Sequence, residues 1–137
     1  MARQTIITPD VRALLEKYPF YSQDGKRGEA VAVLRLFITG TAGVFYILEG
    51  QPYEGENGET WELYGLSNLE QGEGFRYDYF NLSELESLDL YGGLVHVERD
   101  ESFTPRKLSE IAEVVASCSG IWQVEAEDEA EDGIEND

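Results

Sequence analysis

His96, Glu98 and Asp100 stand at alternate positions in "VHVERD". On a β-strand, side chains two residues apart share a face, so these three would point the same way, as the ligands of a divalent metal or the acid–base groups of a hydrolase do. His96 is the only histidine of the 137 residues, and a metal centre or a nucleophile–base pair needs further convergent groups. Cys118, the only cysteine, sits in "VVASCSG", a helical pattern in which a buried structural thiol is expected. A metal-dependent hydrolase is thus the third-ranked reading, and no catalytic, cofactor-binding or metal residue is assigned. The glycine clusters "GENGE", "GEG" and "YGG" fit neither GxxxxGK[ST] nor GxGxxG and have carboxylates where a phosphate loop has lysine, so they are turns.

The residue type present in excess is the carboxylate. The chain has 28 acidic and 10 basic residues, a formal net charge of -18. The excess is uneven: residues 1–48 carry +2, residues 49–101 carry -12, residues 102–124 balance, and residues 125–137 carry -8. Direct binding to phosphate backbones is therefore disfavoured, and a basic protein surface is the expected partner. Tyr46, Trp61, Tyr64, Tyr77, Tyr79 and Phe80 could stack on bases, but they lie in or beside the most acidic stretch and are expected to pack across strands instead. If the acids form a contact surface, it comprises Glu54, Glu56, Glu59, Glu62, Glu70, Glu73, Asp78, Glu84 and Glu86.

The elements that would position these groups follow from periodicity. "ITPDVRALLEKYP" has Thr8 to cap a helix, Pro9 at its first position, and Val11, Leu14, Leu15 and Tyr18 on one face. "AVAVLRLFIT" and "VFYILEG" predict a hairpin joined at "GTAG", with Ala32, Leu34, Leu36 and Ile38 on one face and Arg35 on the other. "TWELYGL" and "FRYDYF" alternate as half-buried strands; in the second, Phe75, Tyr77 and Tyr79 oppose Arg76 and Asp78. "NLSELESLDL" predicts a short helix with Ser83 and Glu86 as a capping box. "GGLVHVERD" reads as a strand with Val95 and Val97 inward. "FTPRKLSEIAEVVAS" repeats the Thr–Pro helix start, with Leu108, Ile111, Ala112 and Val115 on one face. The expected fold is α+β: one small domain, an antiparallel sheet of about five strands, and three short helices packed mainly on one face. Residues 1–124 form the compact domain. Residues 125–137 are an acidic tail expected to be disordered, because they bury too little to offset the entropy of ordering. Without an apolar leader or membrane helix in the sequence, the expectation is a cytoplasmic protein that does not enter membranes.

Residues 79–111, "YFNLSELESLDLYGGLVHVERDESFTPRKLSEI", resemble a family of small bacterial proteins known only as a domain of unknown function. The matching positions are Phe80, Leu82, Ser83, Glu84, Leu85, Glu86 and Ser87, then Gly93, Leu94, Glu98, Arg99 and Asp100, then Phe103, Pro105, Leu108, Ser109 and Glu110. Looser likeness in "LFITG", "VFYILEG" and "YGL" extends it over about residues 8–112. The resemblance implies a genetic context, that of plasmids, conjugative elements and phages, and no activity.

Charge and implied context together suggest a non-enzymatic inhibitor that mimics nucleic acid. It would occupy the nucleic-acid cleft of a host defence complex, of the anti-CRISPR or anti-restriction type. A globule of this length spans roughly 37 Å, a distance over which duplex DNA carries about 22 charges, comparable to the chain's own 18. The alternative is a protein-interaction or regulatory accessory module whose acidity is incidental. The two differ in layout: mimicry needs the acids of residues 49–101 in one continuous stripe, whereas the module allows them to be interspersed with Arg12, Lys17, Arg35 and Arg106.

Overall fold

The computed structural model describes residues 5–56, 58–70 and 73–135, with side chains as far as Glu125. Helix α1, Pro9–Glu16, begins as its sequence predicts: the Thr8 hydroxyl accepts the Val11 N–H, Pro9 needs no donor partner in the first turn, and Val11 and Leu15 are buried. Strands β1 (Val31–Ala32), β2 (Leu34–Ile38), β3 (Val44–Gly55), β4 (Gly58–Asn68) and β5 (Arg76–Asn81) follow. Helix α2 (Leu82–Ser87), β6 (Val97–Arg99), β7 (Arg106–Lys107) and α3 (Ala112–Glu135) complete the chain. Five strands form one antiparallel sheet in the order β5-β4-β3-β2-β6, and β1 pairs with β7 beside it. This is the expected α+β architecture.

Both faces of the sheet are buried, each by its own core. On one face α1 and α2 cover Leu34, Leu36, Phe45, Ile47, Trp61, Leu63 and Val97. On the other, Leu108, Ile111, Val114 and Cys118 cover Val44, Tyr46, Leu48, Leu66 and Phe75. The expected single covered face thus holds for α1 and α2, while α3 crosses the other side. That explains why "VFYIL" is apolar without alternation: β3 is central and has a core on each side.

Several local expectations are corrected. Ala32 does not share a face with Leu34 and Leu36. Pairing changes partner at Val33, which bonds to the Ile47 carbonyl, so β1 faces the α3 core and β2 the α1 core. Thr104–Pro105 starts no helix, because the next two residues pair with β1 and a 3-10 turn at Leu108–Glu110 follows. The helix then begins at Ala112, and its inward face is Val114 and Cys118 in place of Ala112 and Val115. The capping residue of α2 is Asn81, whose side chain accepts the Glu84 N–H, while the Ser83 hydroxyl donates to Thr60 Oγ1 at 2.8 Å. Helix α3 runs past the expected tail boundary at Val124 as far as Glu135; the last two residues, like residues 1–4, lie outside the described ones. Among the described residues, no helix is long and apolar enough to cross a membrane.

One bulge shapes the central strands. Ile47 pairs with Gly65 and Glu49 with Tyr64, leaving Leu48 as an extra residue on β3. Opposite it, a Cβ on Gly65 would lie 2.0 Å from the Tyr46 carbonyl oxygen and 2.9 Å from Ile47 Cα, so only glycine fits.

Candidate functional site

The β3–β4 hairpin is far longer than its neighbours, and its tip carries a cluster of acids. Glu54 lies directly opposite Glu59 in the register, with Glu56 in the connection between them. Directly opposed like charges destabilise a sheet, and Arg12 of α1, paired with Glu59, offsets only part of that repulsion. The start of α2 brings Glu84 and Glu86 beside the tip, because Asn81 both caps that helix and donates from its side-chain nitrogen to the Tyr53 hydroxyl. The result is a groove of about 780 Å³ lined by Glu56, Glu59, Glu84 and Glu86, with Thr60, Asn81 and Ser83 among its neutral polar groups. Burial raises the Glu86 carboxyl above the usual range. One cation enters from α1: Arg12 Nη1 is 2.5 Å from Glu59 and Nε 3.3 Å from Glu16, and the guanidinium rests 5.6 Å from the Trp61 ring centre.

Of the nine expected contact acids, Glu56, Glu59, Glu84 and Glu86 therefore line the groove, and Glu54 stands at the same hairpin end opposite Glu59 without lining it. Glu62 lies further along β4, half-buried between Gln51 and Asn81. Glu70 and Glu73 belong to the β4–β5 connection at the far end of β4, roughly 30 Å from the tip at the usual rise per residue. Glu73 is there 3.9 Å from Arg76. Asp78 is on the edge strand β5, opposite Gly65, where its carboxylate accepts the Tyr79 N–H at 2.8 Å.

His96, Glu98 and Asp100 do not form a ligand set. His96 Nε2 is 3.3 Å from Glu98, and its Nδ1 is 2.6 Å from the Gly93 carbonyl oxygen. Asp100 turns instead to Arg35 at 3.3 Å and to Ser102, whose hydroxyl and backbone N–H both donate to it. The Ser102 hydroxyl, with smaller help from Arg35, holds the Asp100 carboxyl below the usual range. Among the described residues, no three His, Cys, Asp or Glu side chains are grouped to hold a metal. Cys118 is 1% exposed beneath α3, and burial raises its thiol.

Glu49 is the residue that sequence reasoning misplaced. As the first of the acids of residues 49–101 it is expected on the surface, yet it is 2% exposed, and its two oxygens accept the backbone N–H groups of Tyr21 and Gln23, each at 2.9 Å. Gln23, also buried, donates to the carbonyls of Leu48 and Val31 and accepts the Val31 N–H. Together they fasten the loop after α1 onto the bulge. The available signal was the acid's position directly after five apolar strand residues, "VFYIL".

Fold and groove define a small α+β domain built on a five-stranded antiparallel sheet, with a carboxylate-lined concavity at one end. Residues 6–122 match the family described as protein of unknown function (DUF2958), and the chain belongs to it. No curated protein and no solved structure matches the chain.

Proposed function

We propose that this protein is a non-enzymatic acidic binding protein whose hairpin-end groove receives a basic surface of a partner protein. The observation that carries this reading is the placement of Glu54 directly across from Glu59, with Glu56, Glu84 and Glu86 alongside. Carboxylates gathered where they repel one another cost stability, and features that break local rules are expected at functional sites. The partner class is a nucleic-acid-handling host defence complex in the cytoplasm, its basic cleft engaged by the hairpin-end acids alone, because the acids of residues 49–101 do not form the continuous stripe that mimicry along their whole length needs. The encoding element is a plasmid, phage or conjugative element.

The second reading, an interaction or regulatory module with incidental acidity, is favoured by a different observation. The acids do not run as one stripe: Glu70 and Glu73 lie at the other end of β4, and Arg12 and Arg76 stand among the carboxylates.

One pull-down from bacterial lysate at low salt, comparing the chain with its Glu56→Lys/Glu84→Lys variant, separates the readings. Under the mimic reading a DNA- or RNA-handling complex is captured, salt and added nucleic acid release it, and the variant loses it. Under the module reading the captured partner is indifferent to nucleic acid. Capture that survives the double charge reversal would remove the groove from both.

A further inference from the structure

A second concavity, of about 370 Å³, opens beside the bulge of β3 on the side covered by α3. Glu49 lines it. Each of its oxygens accepts one backbone N–H, and an ionised carboxylate offers about four acceptor positions, so it can still take donors from a ligand. Beside it stand Tyr64 and Tyr77, diagonal neighbours on β4 and β5, with ring centres 6.1 Å apart and planes inclined by 21°. Asp24, on the loop after α1, and Glu125, on α3, line the same opening. Among the described residues, Arg27, whose Nε is 3.5 Å from Glu125, is the one cation of the lining, set against the three carboxylates Asp24, Glu49 and Glu125. Burial above all, then Tyr77, Tyr79, Glu49 and Asp24, pushes the Tyr64 hydroxyl up to about 12, as expected where added negative charge is disfavoured. The bounding loop holds Tyr21 at φ 73° and Arg27 at φ 49°, conformations that side-chain-bearing residues seldom adopt and that cluster at ligand sites.

Ring faces attract organic cations, and a buried carboxylate with spare acceptor positions suits an N–H donor. A divalent metal fits less well, since no three acidic groups are grouped to hold it among the described residues and Arg27 shares the lining. We propose that this pocket binds an alkylammonium group, its nitrogen against Glu49 and Asp24 and its methylenes against Tyr64 and Tyr77. The source is either a lysine side chain of a partner protein or a free polyamine. The inference stands apart from the hairpin-end groove, with which the pocket shares no lining residue.

The test titrates the full-length protein with butylammonium chloride, spermidine and a short peptide bearing one lysine, following backbone amide shifts. Saturable shifts at Gln23, Gly25, Glu49 and Tyr64 are expected, with a Kd of about 1 mM for butylammonium. Butanol at equal concentration gives none. Tyr64→Leu weakens binding about tenfold, whereas Tyr64→Phe, which keeps the ring face, stays within about twofold. Asp24→Asn, on an exposed loop position, weakens it about threefold and carries the test if the Tyr64→Leu chain misfolds. Tighter binding of the peptide identifies a partner's lysine as the source, and tighter binding of spermidine a polyamine. No saturable shift with any of the three probes, an equal response to butanol, or shifts confined to residues 54–60 and 83–87 would overturn the proposal.

Discussion

Glu49 and Glu54 are five residues apart on the same strand, and their surroundings are opposite. Glu49 is buried, and both its oxygens are used to hold the loop after α1. Glu54 is exposed, and the residue opposite it is another glutamate. The comparison teaches that a net charge of -18 is not one property of the molecule. Acids near the bulge are part of the fold, while those at the hairpin end are carried by it at a cost.

The largest effect is expected where the bulge is tightest. Gly65→Ala puts a methyl into the Tyr46 carbonyl, which neither strand can avoid without losing pairing, so a loss of about 4 kcal/mol or failure to fold is expected in urea unfolding. Glu49→Ala follows at about 2–4 kcal/mol, because two buried N–H groups lose their acceptor. If Glu49→Ala proved neutral, the contrast with Glu54 would collapse.

At the other end the sign reverses. Glu54→Lys replaces a like-charge cross-strand pair with an opposite one and should stabilise by about 0.5 kcal/mol in the same assay, while weakening capture of a basic partner. The smallest effect is in the acid limb. The Asp100 carboxyl is lowered in the folded chain, so it contributes stability above its unfolded pKa of about 4 that is lost as pH falls through the lower folded value. Asp100→Asn should flatten stability against pH below about 4 and leave Glu49-dependent stability at neutral pH unchanged.

What the chain discloses directly is what local patterns control. Thr8–Pro9 with Val11 and Leu15 one turn apart specify α1, whereas the alternation in "FRYDYF" is half right: Phe75 is buried, but Tyr77 and Tyr79 on the edge strand stay 39% and 48% exposed. The rest depends on contacts distant in sequence. The change of partner at Val33 and the extra residue at Leu48 leave no mark in composition, yet each turns the following side chains to the other face. Asn81 and Ser83 are both good capping residues, and the point where β5 ends decides between them. Arg106 and Lys107 form a strand only because Ala32 and Val31, some 75 residues earlier, are there to pair. For the site, the number of acids was legible and their grouping was not: Glu84 and Glu86 reach the hairpin tip through the fold, and Glu70 and Glu73 are carried away by the length of β4.

Cys118 gives the docking of α3 a clock. Its thiol is sealed between that helix and the sheet, so a thiol reagent reaches it only when the helix lifts, and the labelling rate under native conditions reports how often that happens. Glu125 lies two turns further along the same helix and lines the pocket beside the bulge. An occupant held there would tie the helix to the sheet, and the slowing of Cys118 modification would register its presence from beneath the helix, without any label on the ligand.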